Sequence, residues 1–277
     1  MRINEKIAGI NGSLLPGSTA TLKLPVNRRY HWLKFFLTAN TTAVGHAALT
    51  NAKDIVESIQ LYVGGRLIRD VTPLFLQMLC KLNAITGISA LELPIFFSEP
   101  WRASVMDEQA TAWDVNEVTD FSVRIKFLST AQDIGLTGLA CYDGGRARLA
   151  NNQVVLNIVK HLPFSGYAVA GFRDFTEFPV NLPIQRIYFT GADANQITKA
   201  EVIADSFKIH EAEEAENAAI LADYRLDASA FDYPLCFDPH QQLFDTLMVQ
   251  RDLTVRVFTA SAGDVRAILE QRAGAYI

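Results

Sequence analysis

Histidines are the side chains of this sequence most able to bind a metal or move a proton near neutral pH. Histidine metal sites are commonly marked by an HxH pair or by the motif HExxH, and the sequence contains neither. Scattered histidines are more typical of structural roles. The five are His31, His46, His161, His210 and His240.

Cysteines offer a second kind of chemistry, through zinc binding, disulfide formation or nucleophilic attack. Cys80, Cys141 and Cys236 lie far apart, with no CxxC motif and no histidine at ligand spacing. We therefore predict neither a zinc site nor a paired disulfide framework. A reduced, intracellular origin fits this pattern best.

Carboxylates occur in two oxygen-rich stretches that could bind calcium or a basic patch on a neighbouring chain. Neither has EF-hand spacing, and such runs are more often a solvated helix face, so we assign no metal. No GxSxG, Walker or GxGxxG motif occurs, and we predict no enzymatic activity and no cofactor. The stretches are Glu211, Glu213, Glu214 and Glu216, and Asp114, Asn116, Glu117 and Asp120.

The overall composition is that of an ordinary folded protein. The 277 residues are 49% hydrophobic and 20% charged, with a net charge of −5, which excludes a disordered or collagen-like chain. A pI near 5.6 argues against a protein that binds nucleic acid through phosphate contacts. The length allows one large domain or two domains of about 140 residues each.

Membrane and secretion signals are not indicated by the hydrophobic pattern. Residues 1–17 carry Arg2 and Lys6 but no apolar stretch of the length that a secretion signal needs. The longest apolar run, Ala218 to Ala222, is far shorter than the roughly 20 residues that span a bilayer. We expect a protein that is not secreted and that meets a membrane only from outside.

The elements that position these side chains occur twice along the chain. Gly17 is followed by Leu24-Pro25-Val26-Asn27, and Gly171 by Phe178-Pro179-Val180-Asn181, with the same internal spacing. Three more pairs of similar segments follow in the same order, and a conserved order of four matches indicates a duplication. The three pairs are Ser58–Leu61 with Ser206–Ile209, Leu93–Phe97 with Tyr233–Phe237, and Asp120–Ile125 with Asp252–Val257.

The repeated unit is predicted to be mainly β. Apolar and polar residues alternate from Phe121 to Phe127 and from Leu253 to Val257, as in strands with one buried face. Gly64 and Gly65 separate two such runs and predict a tight hairpin turn with positive φ. The repeat is anchored by these two glycines and by four prolines, which are Pro25, Pro94, Pro179 and Pro234.

Each copy also has a predicted helix at a corresponding place. Thr72-Pro73 supplies a capping residue and a proline for a helix that continues to Leu82. The segment Glu211 to Tyr224 has carboxylates in its first turns, where the helix dipole favours them.

The boundary between the copies is predicted within Asp143 to Arg148, which contains two glycines and no large apolar residue. We predict an N-terminal arm over 1–18, a first domain over 19–146 and a second over 147–277. About eight short strands and one helix in each favour an all-β chain of two tandem jelly-roll β-sandwiches.

This organisation resembles the double jelly-roll major capsid proteins of tail-less viruses with an internal membrane, and corticovirus-type bacteriophage coat proteins most of all. The resemblance is carried by Lys23-Leu24-Pro25 before a strand from Trp32 to Thr38, by Ile59 to Leu67, and by Leu243 to Met248. These short segments are spread over most of the chain.

The resemblance implies a structural role in a virion. Such proteins form homotrimers that act as pseudo-hexagonal tiles of an icosahedral shell over a lipid membrane. The implied partners are further copies of the chain, other virion proteins at the vertices and the internal membrane, with no sequence-specific nucleic acid. Arg2 and Lys6 would then lie near lipid headgroups, each basic residue adding about 1 kcal/mol of attraction.

Two other functions are open at this point. A carbohydrate-binding jelly-roll protein could use Trp32, Trp101 and Trp113 as stacking platforms, although the missing secretion signal and the duplication argue against it. A minor spike or vertex protein of the same kind of virus would share the fold, but it would not normally pair two such similar domains.

Overall fold

The computed structural model describes residues 1–8, 10–11, 14–42, 46–116, 118–144, 155–163, 169–191, 196–242 and 245–274. Strands dominate these residues, and three α-helices interrupt them. The helices are α1 (Pro73–Leu82), α2 (Val105–Ala110) and α3 (Glu214–Asp223). The strands are β1 (Ile3–Lys6), β2 (Ile10–Asn11), β3 (Thr19–Leu24), β4 (Arg29–Thr41), β5 (Val56–Val63), β6 (Arg66–Val71), β7 (Glu92–Phe96), β8 (Trp113–Asp114), β9 (Phe121–Phe127), β10 (Ala131–Asp143), β11 (Val155–Pro163), β12 (Gly171–Phe175), β13 (Ile184–Gly191), β14 (Ile197–Ala204), β15 (Phe207–Glu213), β16 (Tyr233–Cys236), β17 (Leu253–Thr259) and β18 (Val265–Gly274).

The chain divides into two compact units. The first unit comprises Met1–Cys80, Ile85–Asn157 and Gly274–Ile277, and the second comprises Lys81–Ala84 and Ile158–Ala273. Most of the predicted linker, residues 145–148, lies outside the described residues. None of the helices in the described part of the chain is long and apolar enough to cross a membrane.

The first unit contains two antiparallel sheets. One has the order β1–β10–β4–β7, with the short β8 also on β4, and the other has the order β3–β9–β5–β6, with β2 beside β3. The first strand, β1, pairs with the last, β10, as in the register Lys6↔Leu139. Between them the chain crosses repeatedly from one sheet to the other, and the hairpin of β5 and β6 stays within one sheet. This is the strand order of a jelly roll.

The second unit repeats that order strand for strand. Its sheets run β11–β18–β13–β16 and β12–β17–β14–β15, so β12, β17, β14 and β15 correspond to β3, β9, β5 and β6. Helices α1 and α3 follow equivalent strands, β6 and β15. The predicted all-β double jelly roll, with a helix in a connection of each copy, is confirmed.

Each unit has its own core between its two sheets. In the first unit the Tyr30 ring on β4 meets Phe121 on β9, with centroids 5.1 Å apart. In the second, Phe175 on β12 meets Phe189 on β13 at 5.9 Å. Alternating apolar residues from both sheets fill the space around these rings, and each buried large side chain contributes about 1.5–3 kcal/mol.

The predicted hairpin and the predicted helix from Pro73 are confirmed. The predicted start of the last helix is wrong. Gly64 and Gly65 form the β5–β6 turn with φ of 56° and 77°, and α1 begins at Pro73. Helix α3 begins at Glu214 instead of Glu211. The intervening residues extend β15, because Glu211 and Glu213 pair in register with Glu201 and Lys199 of β14.

Candidate functional site

The described residues bring no three His, Cys, Asp or Glu side chains together around a space for a metal. His31 is completely buried on β4. Its Nε2 lies 2.9 Å from Asp143 Oδ2 and its Nδ1 lies 3.3 Å from Ser98 Oγ. Burial is the main reason that the pKa of His31 is lowered.

This Ser98, His31 and Asp143 arrangement has the residue types of a catalytic triad, but its burial prevents catalysis. Ser98 is only 2% exposed, so no substrate can reach its hydroxyl. Arg29 Nη2 and Nε also donate to the two Asp143 oxygens at 2.6 and 3.0 Å. Since Arg29 and Asp143 are paired across β4 and β10, the cluster fastens the ends of these two strands together.

A second buried polar cluster in the first unit surrounds Arg69. Its guanidinium donates to the carbonyl oxygens of Asn157 and Phe96 at 3.0 and 2.7 Å, and it lies 4.8 Å from the centroid of the Trp113 ring. Asn157 Nδ2 donates to Glu99 Oε1 at 3.1 Å. The cluster ties backbone segments that are distant in sequence.

The second unit has its own buried ion pair. Arg186 Nε donates to Asp238 Oδ1 at 2.7 Å, and both side chains are fully buried. Gln185 Nε2 donates to Asp238 Oδ2 at 2.8 Å, and Arg186 Nη1 donates to Asn83 Oδ1 at 3.1 Å. This network binds a loop after β16 to the surface of β13.

The three cysteines are free thiols. Burial raises the pKa of Cys80 and of Cys236 to about 12 in each case. Both are therefore protonated at neutral pH and unsuited to nucleophilic chemistry.

Trp113 is not available as a sugar-stacking platform. Trp113, one of the three candidate stacking platforms, lies on β8 and is completely buried. Its ring packs against Phe97, with centroids 4.5 Å apart, so it has no free face. The Trp101 ring packs edge-on against the Phe96 ring, with centroids 5.8 Å apart.

The predicted basic arm is part of a sheet. Ile3–Lys6 forms β1, whose four residues are all exposed along β10. Arg2 Nη2 donates to Glu108 Oε1 of α2 at 2.8 Å, and Lys6 is exposed on the strand. Next to Glu108, α2 exposes Val105 by 65% and Met106 by 75%.

Two of the four repeat prolines lie on equivalent edge strands of the two units. Pro94 and Pro234 lie on β7 and β16, the last strands in their sheet orders, where a missing N–H is tolerated. The carbonyl oxygens of Pro25 and Pro179 accept hydrogen bonds from Tyr30 Oη at 2.9 Å and Gln271 Nε2 at 2.7 Å.

The acidic residues Glu211 and Glu216 accept hydrogen bonds from neighbouring groups of the second unit. Glu211 accepts from Lys199 and Lys208 at 2.5 and 2.6 Å, and these hydrogen bonds lower the pKa of Glu211 to about 2. Glu216 accepts from the backbone N–H of Glu213 at 2.9 Å, which caps α3.

The buried polar clusters were not predicted from the sequence. One signal was available, because Gln185 and Arg186 lie between Ile184 and the apolar segment Ile187 to Phe189, and a charge in such a segment needs a buried partner. The identity of the partner, Asp238, depends on the fold and could not be inferred.

Two family models match successive parts of the chain. The viral coat protein P2 N-terminal domain matches residues 4–143, and the viral coat protein P2 C-terminal domain matches residues 158–273. No match was found among curated protein sequences.

Several solved capsid proteins share the fold. The major capsid protein P2 of bacteriophage PM2 has a TM-score of 0.83 at 16% identity, over 100% of this chain and 98% of that one. The STIV major capsid protein has a TM-score of 0.69 at 12% identity, over 98% of this chain and 96% of that one. PBCV-1 VP54 has a TM-score of 0.65 at 10% identity, over 100% of this chain and 97% of that one.

Proposed function

The chain belongs to the viral coat protein P2 family, and we propose that three copies form a pseudo-hexagonal trimer that tiles an icosahedral capsid over a lipid membrane. The chain is a structural capsid protein and not an enzyme. Its place is the virion, and its principal partner is another copy of itself.

The internal duplication is the observation that carries the trimer. Two units with the same strand order provide six jelly rolls when three chains close into a ring, and heterologous interfaces close naturally in this way. Neighbouring trimers and other virion proteins at the vertices are the further partners. Assembly takes place in the host cytoplasm.

Light scattering coupled to size-exclusion chromatography tests the trimer. We expect a mass of three chains, each of 30.7 kDa, at micromolar concentration. A monomer or dimer under these conditions contradicts the proposed assembly.

We propose further that the end of the first unit at Arg2 faces the membrane. Arg2 and Lys6 are basic, and Val105 and Met106 on the neighbouring α2 are exposed and apolar. Such a combination suits the headgroup region of a bilayer. The Arg2–Glu108 pair is partly exposed, and a pair of this kind is weak enough for Arg2 to exchange its carboxylate for a lipid phosphate.

Flotation with vesicles of phosphatidylcholine and phosphatidylglycerol tests this orientation. Deletion of residues 1–7 should reduce the bound fraction severalfold, because it removes both cations. Lys126→Ala removes an exposed cation on another sheet of the same unit and should leave binding unchanged. Equal binding by the deletion variant and the full chain contradicts the membrane contact while leaving the trimer untouched.

A further inference from the structure

The outer face of the sheet β12–β17–β14–β15 in the second unit exposes an unusual set of side chains. On β17, Leu253, Val255 and Val257 are buried in the core, so Arg256 and Phe258 point to the opposite side of the sheet. We call this side, with Phe172 and Asp174 of β12 and Lys199 and Glu201 of β14, the outer face.

Two aromatic rings lie at one corner of the outer face. Phe172 and Phe258 are paired across β12 and β17, with ring centroids 5.7 Å apart. Phe172 is 61% exposed. Arg256 lies 4.8 Å from the Phe172 centroid, and Lys199 Nζ lies 5.1 Å from that of Phe258.

The charged side chains beside these rings neutralise one another. Arg256 donates to both Asp174 oxygens at 2.7 and 2.9 Å. Lys199 Nζ lies 2.9 Å from Glu201 and 2.5 Å from Glu211. Lys208 completes a network of three basic and three acidic residues, which therefore carries no net charge.

The first unit shows that the fold does not require this arrangement. Its equivalent strands β3 and β9 pair Thr19 with Lys126, at the positions that Phe172 and Phe258 occupy in the second unit. Both Thr19 and Lys126 are exposed. Since the same sheet position accepts polar residues in one copy, the pair of an exposed Phe172 and a half-buried Phe258 in the other needs a reason beyond folding.

We propose that the outer face of the second unit binds a second copy of this chain, an inference that rests on the proposed self-assembly. Aromatic residues and arginine are enriched at the energetic centres of protein interfaces. An anionic lipid or nucleic-acid surface attracts a face with a net positive charge, whereas the network on this face carries none. A neutral, partly aromatic sheet face fits a protein surface, and the principal protein partner of a capsid protein is another copy of itself.

Exchange of the aromatic pair for the residues of the first unit tests the proposal. Phe172→Thr with Phe258→Lys uses side chains that the same sheet position accommodates elsewhere in the chain, so the variant should fold. We expect the oligomer of the variant to dissociate at a concentration about tenfold or more above that at which the oligomer of the unaltered chain dissociates. The matched control is Ile220→Ser, which removes an exposed apolar residue of α3 in the same unit and should leave the oligomer unchanged.

Hydroxyl-radical footprinting of the unaltered protein gives a second measurement that does not depend on a variant. Phe172 should be protected in the oligomer relative to the diluted subunit, while Met248, 66% exposed, should react equally in both. An oligomer in which Phe172 stays reactive, or a double variant that assembles normally, overturns the proposed face but not the trimer. A chain that stays monomeric overturns both.

Discussion

Arg186 and Asp238 illustrate how single residues hold this sandwich together. Both are fully buried, and the loss of hydration for two charges roughly cancels their attraction unless further hydrogen bonds are made. Gln185 and Asn83 supply those bonds. The cluster therefore acts less as a source of net stability than as a constraint on how the loop containing Asp238 can pack.

Removal of one partner should lower the free energy of unfolding by far more than the small net contribution of the pair. Asp238→Ala leaves the buried guanidinium of Arg186 without its counter-charge, and we expect a loss of about 3–5 kcal/mol in the free energy of unfolding. Glu57→Ala breaks the exposed pair with Lys126, in which each side chain is 47% exposed, and should cost less than about 1 kcal/mol. Urea titrations of both variants measure the difference, and similar losses would contradict a buried charge effect.

At the scale of elements, the two units build the same turn from different residues. Gly64 and Gly65 connect β5 and β6, whereas Asp205 and Ser206, with φ of 49° and 72°, connect β14 and β15. Left-handed backbone strains residues with a side chain. In the second unit, the Asp205 carboxylate compensates by accepting from the N–H groups of Gln250 and Arg251 at 2.9 and 2.7 Å.

Gly65 has no such compensation, so it should not tolerate a side chain. Gly65→Ala should lower the free energy of unfolding by about 1–2 kcal/mol, because φ is 77° there. Gly144→Ala is the matched control, since an added Cβ there meets no atom within 4 Å and its φ is outside the left-handed region. Thermal unfolding of the two variants should separate them, and an equal effect would exclude backbone strain as the cause.

Local patterns were sufficient to predict several of the elements. Period-two alternation identified β9 and β17, and the capping residue and proline identified α1. The start of α3 was misplaced because Glu211 favours a helix terminus locally, while its actual partners, Lys199 and Lys208, lie on the sheet formed by β14 and β15. A tertiary ion pair of this kind leaves no periodic signal in the sequence.

For the whole molecule, the duplication could be predicted from the sequence but the functional surface could not. Three of the four ordered matches lie at equivalent strands, beside β3 and β12, on β7 and β16, and on β9 and β17, and they indicate two copies. The fourth match is wrong, because Ser58–Leu61 lies on β5 whereas Ser206–Ile209 leads into β15, the counterpart of β6. The pattern around Phe172 and Phe258 looks like an ordinary strand pair, and only the pairing register, with Thr19 and Lys126 at the equivalent place, reveals that one copy exposes aromatic rings where the other is polar.

Assembly should make the stability of this protein depend on its concentration. A partner that binds only the folded chain stabilises it by mass action, and for a trimer a tenfold rise in concentration adds about 0.9 kcal/mol per chain, two thirds of the 1.4 kcal/mol for a factor of ten. Urea midpoints should therefore rise with concentration for the unaltered chain and for Ile220→Ser.

The variant with Phe172→Thr and Phe258→Lys should lose this dependence at concentrations where its subunits are dissociated, while its midpoint approaches that of the diluted unaltered chain. Neither ring belongs to the buried core of the second unit, so their exchange acts on association more than on the core. Midpoints that stay constant for the unaltered chain over a hundredfold range would mean that the chain folds without binding its own copies, in which case the exposed aromatic pair serves another partner.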